Sequence, residues 1–262
     1  MAEVKVLIEG YTNADSQVLD GEEKTCPTIS LVKDEGIIMV VDPGVLDSQQ
    51  ILVNKLEEHG VSVNDVNFVC ITHSHIDHYR NIGMFPYAKT LEYFGIWQGG
   101  SCEDWKEKFT ENIRIIKTPG HDNTSITLLV KTNQGIVAIC GDVFWKNNYP
   151  EKDAYAQDDE QLQQSRKTVL KEADFIIPGH GPMYRVENEK NEESVVESLS
   201  EKFKVIFGKK IANGKLGKCR NCKTAFKSQE DRCACQEWLC YNCCECDEDC
   251  PVCVCKHRKW KK

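Results

Sequence analysis

Apolar, β-branched runs recur along the chain with turn residues between them, at 4–8, 28–32, 37–41, 66–71, 113–116, 126–130, 136–140 and 175–177. Short runs of this kind bounded by Gly, Pro, Asn and Asp predict strands. Two windows between them switch to helical spacing. Asp47 to His59 opens with a D-x-x-Q capping box, carries Ile51, Leu52 and Leu56 on one face, and stops at Gly60. Residues 158–173 repeat the form, with Leu162, Val169, Leu170 and Ala173 as the stripe to bury. Strands joined by long connections, with helices outside them, predict an α/β fold of two central sheets covered on both faces. A third amphipathic stretch spans 189–207, with Val195, Val196, Leu199, Phe203 and Ile206 at helical spacing and Gly208 as its end. Its stripe would pack on the sheets or form a homodimer, and NGKLGK after it reads as a linker.

Charge divides the chain in the same place. Its 262 residues carry a net −8, but 218–262 hold ten Lys/Arg against seven Asp/Glu, net +3, which leaves −11 on residues 1–217. Unspecific nucleic-acid affinity comes from Lys and Arg neutralising phosphates, so the acidic part is a poor generic polyanion binder. Arg80, Lys146 and Arg185 are its candidates for lining an anion site. The opening MAEVKVLIEGYT has no basic n-region, and no stretch approaches the apolar length that spans a bilayer. The expectation is therefore no membrane association and residence in the cytosol, the nucleus or both, where cysteines are reduced or metal-bound.

The chemistry concentrates where the strands are expected to end. His73-Ser74-His75-Ile76-Asp77-His78 follows VNFVCIT, His121 closes TPGH, Asp142 closes AICGD, and His180 sits in IIPGHGP. A catalytic zinc takes about three His or carboxylate ligands and leaves a place for water, and two neighbouring ions clamp attacking and leaving oxygens together. His73 and His75 would hold one ion with His121. Asp77 and His78, where strand turns to helix, would hold a second with His180, and Asp142 would bridge the two. Asp77 and Asp142 are the candidate catalytic carboxylates. One exposed histidine is ordinarily solvated, which is the reading for His59 and His257, and PGH alone is only a turn. Four ligand-type residues within six positions have little structural excuse, so the pattern predicts metal-assisted hydrolysis.

These motifs resemble the metallo-β-lactamase superfamily, in the glyoxalase II-like ligand pattern, across about residues 1–187. The resemblance implies a four-layer αββα sandwich with two zinc ions held by His73, His75, Asp77, His78, His121, Asp142 and His180. The stretches VLIEGYT, NIGMFP, GDVF and QSRKTVLKEADFIIPGHGPMYRV resemble a branch of that superfamily whose activity is endoribonucleolytic cleavage of histone pre-mRNA near its 3′ end. Tyr79 and Arg80 stand before Asn81 where the pattern has a small residue and Gly, a departure that bears on the active-site loop and on substrate preference. Asp42-Pro43-Gly44 stands where Asp-Thr-Gly is common. Asp42 then either braces the metal-binding loops from behind the ligands or is an ordinary turn residue.

The cysteines fall into two sets. Cys26, Cys70, Cys102 and Cys140 are scattered and read as core residues. Eleven more lie between 219 and 255, including Cys219-x2-Cys222, Cys233-x-Cys235, Cys240-x2-Cys243 and Cys250-x2-Cys253. Thiolate pairs at this spacing suit tetrahedral zinc, so residues 218–262 are either a module holding one or two further zinc ions, loosely resembling a cross-brace finger, or a thiolate tail without a unique fold. Three functions follow: a zinc endoribonuclease acting on RNA, a glyoxalase II-like hydrolase of a small ester or thioester, and a non-enzymatic adaptor that binds a protein partner through the Cys-rich tail. Only 37 residues separate Asp142 from His180, too few for the large inserted domain of some superfamily nucleases.

Overall fold

A computed structural model describes residues 1–14 and 22–187. The stretches expected at 188–217 and 218–262, with the eight candidate structural zinc ligands from Cys219 to Cys253, lie outside the described residues. In chain order the strands are β1 (Glu3–Ile8), β2 (Tyr11–Thr12), β3 (Thr25–Cys26), β4 (Ile29–Asp34), β5 (Ile37–Val41), β6 (Phe68–Cys70), β7 (Lys89–Leu91), β8 (Ile96–Gln98), β9 (Ser101–Glu103), β10 (Ile113–Lys117), β11 (Ile126–Thr132), β12 (Gly135–Ile139), β13 (Phe175–Ile177) and β14 (Tyr184–Arg185). The helices are α1 (Gln49–Glu58), α2 (Ile76–Tyr79) and α3 (Asp159–Glu172). All eight apolar runs are strands.

Two sheets form the middle of the molecule. One runs β1-β4-β5-β6-β7-β8-β9 and the other β10-β11-β12-β13-β14. Side chains alternate across each strand, so one face of each sheet meets the other sheet and the opposite face meets a helix. Val32, Met39, Val41 and Leu91 of the first sheet pack between the layers against Ile115, Leu128, Val130 and Ile139 of the second. On the outer faces, Leu31, Val40 and Val69 bury Leu52 and Leu56 of α1. Leu129, Ala138 and Ile176 bury Leu162 and Val169 of α3. The result is the αββα sandwich, and each fully buried Leu, Ile or Val in it contributes about 1.5–3 kcal/mol relative to exposure.

Three local expectations are corrected. Ser48, not Asp47, caps α1, its hydroxyl accepting from Gln50 N–H, because adjacent residues with cap-competent side chains compete for one turn. On α3 Leu170 is only partly buried, and Ser165 and Arg166 take the inward positions. Cys102 is exposed on the outermost strand β9, whereas Cys26, Cys70 and Cys140 are buried. No helix among the described residues is long and apolar enough to cross a membrane.

What the topology does for function is align strand ends. β5, β6 and β7 run parallel to one another, as do β12 and β13, and β10 runs with β12 through two antiparallel pairings. The loops that follow β5, β6, β10, β12 and β13 carry Asp42, the HSHIDH motif, His121, Asp142 and His180 respectively.

Candidate metal centre

The seven side chains converge. One ligand atom from each of His73, His75, His121 and Asp142 lies within 4.8 Å of the others, and the same holds for Asp77, His78 and His180. Asp142 sits between the two groups. One of its oxygens, Oδ2, is 3.2 Å from His180 Nε2, 3.4 Å from His121 Nε2 and 3.9 Å from His73 Nε2. The other, Oδ1, is 3.3 Å from His78 Nε2. Asp77 Oδ2 lies 3.6 Å from His180 Nε2 and 3.8 Å from His78 Nε2.

Glycines permit this approach. Gly179 lies against the Asp142 carboxylate, so that a Cβ there would occupy the place of an Asp142 oxygen, and Gly120, with φ near +136°, lies against the backbone of Leu162 in α3. The glycine before each PGH histidine is thus fixed by close contact, not merely by a turn.

Several of the converging atoms have no partner. His73 Nε2, His78 Nε2 and Asp142 Oδ1 are buried without a hydrogen bond, a state that ordinarily costs about 1–3 kcal/mol per group. A cation satisfies nitrogen lone pairs and carboxylate oxygens together, so the donor set fits a His/Asp metal-binding site.

Electrostatics point the same way. Burial, and secondarily His78, push His73 well below the usual imidazole value, leaving it neutral and able to donate a lone pair. Burial would lower His78 and His180 too, but Asp142 outweighs it and raises both, with Asp42 adding to the effect at His78. Burial would raise Asp142, yet His180 and His78 hold it well below the usual carboxylate value.

Metal uptake must therefore expel protons from His78 and His180. Affinity is expected to strengthen as pH rises above the ordinary imidazole value of 6.5, and calorimetry in buffers of different protonation enthalpy should register the protons released. A pH-independent affinity would contradict this. The same shifts act on the metal-free fold. Raised imidazoles give stability that is complete below 6.5 and lost as pH climbs through their raised values. The lowered carboxylate gives stability present above 3.8 and lost on acidification.

In His73, His78, His121 and His180 the nitrogen that faces away from the cluster is held in place, and such outer contacts orient metal ligands. His78 Nδ1 is 2.8 Å from Asp42 Oδ2, and that carboxylate also accepts from Thr72 N–H at 2.8 Å and from the Thr72 hydroxyl at 2.7 Å. His73 Nδ1 is 3.1 Å from the same Thr72 hydroxyl. His180 Nδ1 is 3.0 Å from the Cys26 carbonyl oxygen, and His121 Nδ1 is 2.6 Å from Asp153 Oδ2. Sequence reasoning missed Thr72 and Asp153. Thr72 stands next to the motif and was legible as its neighbour; Asp153, in an irregular segment 32 positions from His121, carries no local signal.

The site opens into a pocket of about 260 Å3 lined by Thr12, Ala14, Glu23, Thr25, Ile76, Trp145 and Tyr155 beside the cluster. Arg80, Lys146 and Arg185 are not among its lining residues, which corrects their expected role; Arg80 is exposed at the C-terminal end of α2.

A two-sheet sandwich with this His/Asp site at one end defines a metallo-hydrolase. The model of the metallo-beta-lactamase superfamily matches residues 27–96. The chain is 33% identical over 196 residues to Metallo-beta-lactamase domain-containing protein 1 of Xenopus laevis, covering 70% of this chain and 81% of that protein. It is 30% identical over 192 residues to a probable metallo-hydrolase of Methanocaldococcus jannaschii, covering 70% and 89%. A crystal structure of a putative metallo-beta-lactamase from Thermotoga maritima aligns with a TM-score of 0.57 at 23% identity, covering 70% of this chain and 99% of that one. The chain belongs to the metallo-β-lactamase superfamily.

Proposed function

We propose that the chain is a dinuclear zinc hydrolase that cleaves RNA endonucleolytically at a phosphodiester bond. His73, His75 and His121 would hold one ion and Asp77, His78 and His180 the other, with Asp142 between them. The observation that carries the reading is the convergence of these seven side chains around buried atoms that lack partners. Zinc ions bound there supply Lewis acidity and make water acidic enough to act as a nucleophile near neutral pH. Neutral His73 keeps its lone pair for binding, and Asp142 places negative charge at the centre of the cluster. Asp77, partly exposed and lining the pocket, would bind the second ion through its carboxylate, whose Oδ2 also accepts from the Thr25 hydroxyl at 3.3 Å. Tyr155 is half exposed in the pocket and offers a ring on which a base can stack. The RNA reading draws on the branch that the motifs of this chain resemble, and it goes with the expected residence in the nucleus, the cytosol or both.

A second reading has an observation of its own. Among the described residues no Lys or Arg lines the pocket, and Glu23 is the one charged group of its lining beyond the cluster. That lining favours a small ester or thioester over a polyanion. Zinc-loaded protein incubated separately with single-stranded RNA and with S-lactoylglutathione decides between them. RNA cleavage that a chelator stops and zinc restores is the expected result. Thioester turnover with intact RNA selects the second reading. Inertness toward both, with full metal content and a protein partner captured by residues 218–262, selects the adaptor.

A further inference from the structure

One buried carboxylate beside the site belongs to no motif. Asp153 is 4% exposed and uses both oxygens. Its Oδ2 accepts from His121 Nδ1 at 2.6 Å, and its Oδ1 accepts from Tyr155 N–H at 2.9 Å. The first contact aims His121 Nε2 into the cluster; the second sets the start of the segment whose tyrosine forms a wall of the pocket. That segment is tied to the TPGH loop again by Gln157 N–H to the His121 carbonyl at 3.2 Å and Asp158 N–H to the Gly120 carbonyl at 2.9 Å.

Behind it lies Arg166, 5% exposed although it sits on α3. Its guanidinium stacks on Phe144 and donates from Nε to the Val143 carbonyl at 2.8 Å and from Nη1 to the Glu151 carbonyl at 3.2 Å. It thus spans the segment that leads from the Asp142 loop to Asp153. Nη2 is buried and unpartnered. A guanidinium is costly to desolvate, and here it donates to two carbonyls that an apolar side chain could not satisfy.

We propose that Asp153 is a positioning residue that locks the metal-facing His121 imidazole and the Tyr155 wall of the pocket into one unit, with Arg166 fixing the segment that carries it. The proposal rests on the metal-binding reading of the site and is independent of the bond hydrolysed. It explains how a ligand and a substrate-side wall can be set together by a residue that touches neither metal nor substrate.

The test uses the full chain, loaded with zinc or cobalt(II), and follows metal stoichiometry, affinity by chelator competition, the visible spectrum of the cobalt form and thermal melting. Asp153→Ala is expected to weaken one of two equivalents by about 10- to 100-fold, leave the other, and alter the cobalt bands. Asp153→Asn, which keeps one acceptor oxygen, should recover part of that loss. Arg166→Met should weaken the same equivalent by less. Tyr155→Leu should leave metal affinity unchanged. Unchanged affinity and spectrum in folded Asp153→Ala would overturn the proposal, as would equal weakening of both equivalents in step with melting. Should the alanine variant not fold, wild-type affinity and cobalt spectrum in Asp153→Asn and Arg166→Met would overturn it. If the wild type takes up no metal, the reading of the site fails instead; if it takes up one equivalent, the same comparison is made on that one.

Discussion

Asp142→Ala is expected to abolish hydrolysis, lowering kcat by about 10³-fold or more, roughly 4 kcal/mol in barrier height. The magnitude follows from where the carboxylate lies. Its two oxygens stand 3.2 to 3.9 Å from the ring nitrogens of His73, His78, His121 and His180, so it belongs to both halves of the cluster. Removing it leaves four imidazoles facing one another. His78 and His180, which Asp142 holds in the protonated direction, lose that support, and protonated imidazoles this close repel. The variant should therefore keep its fold at mildly alkaline pH, where these rings are neutral, yet lose metal: fewer than two equivalents are expected by elemental analysis. A variant that retains two equivalents and more than a tenth of wild-type turnover would show that the carboxylate is not shared between the halves.

Much of this centre was legible because chemistry restricts residue type at strand ends. His and Asp clustered after apolar runs have few structural reasons to be there, and parallel strands deliver their following loops to one edge. Asp42, at a strand end, and Thr72, beside the motif, were legible as supports; Asp153 and Arg166 were not, for the opposite reason. Each imidazole needs something on its second nitrogen, but nothing in the chain distinguishes Asp153 from Glu151, Asp158 or Asp159 as the partner of His121. Arg166 reads as solvated surface on a helix, and it is inward only because two carbonyls of a loop without periodicity lie beneath it. Strands β7, β8 and β9 escaped for a different cause. They are three residues each, at or near the sheet edge, and the last is exposed throughout, so no alternation develops. Asp47 and Ser48 are both competent caps, and only the path of the preceding loop decides which hydroxyl or carboxylate reaches the first free N–H.

Asp42→Ala is expected to cost more stability than any change on the pocket wall, on the order of 3–5 kcal/mol, or about 10 °C in Tm, as measured by reversible melting of the metal-free protein. Three buried groups depend on this carboxylate: Thr72 N–H, the Thr72 hydroxyl and His78 Nδ1. Alanine leaves Thr72 N–H and His78 Nδ1 without their partner and the Thr72 hydroxyl with only His73 Nδ1, all in buried surroundings. It must also hold φ near +49°, a conformation that Asp and Asn tolerate better than Ala. Asp42→Asn separates the two contributions. It accepts the backbone strain and keeps one oxygen for Thr72, but it removes the charge that faces His78. The asparagine variant should thus recover most of the lost stability while its affinity for the ion on the Asp77, His78 and His180 side falls about 10- to 100-fold, because the imidazole is no longer oriented by a carboxylate. Equal melting temperatures for wild type and Asp42→Ala would instead assign the aspartate to an ordinary turn, with Thr72 and His78 satisfied by other means.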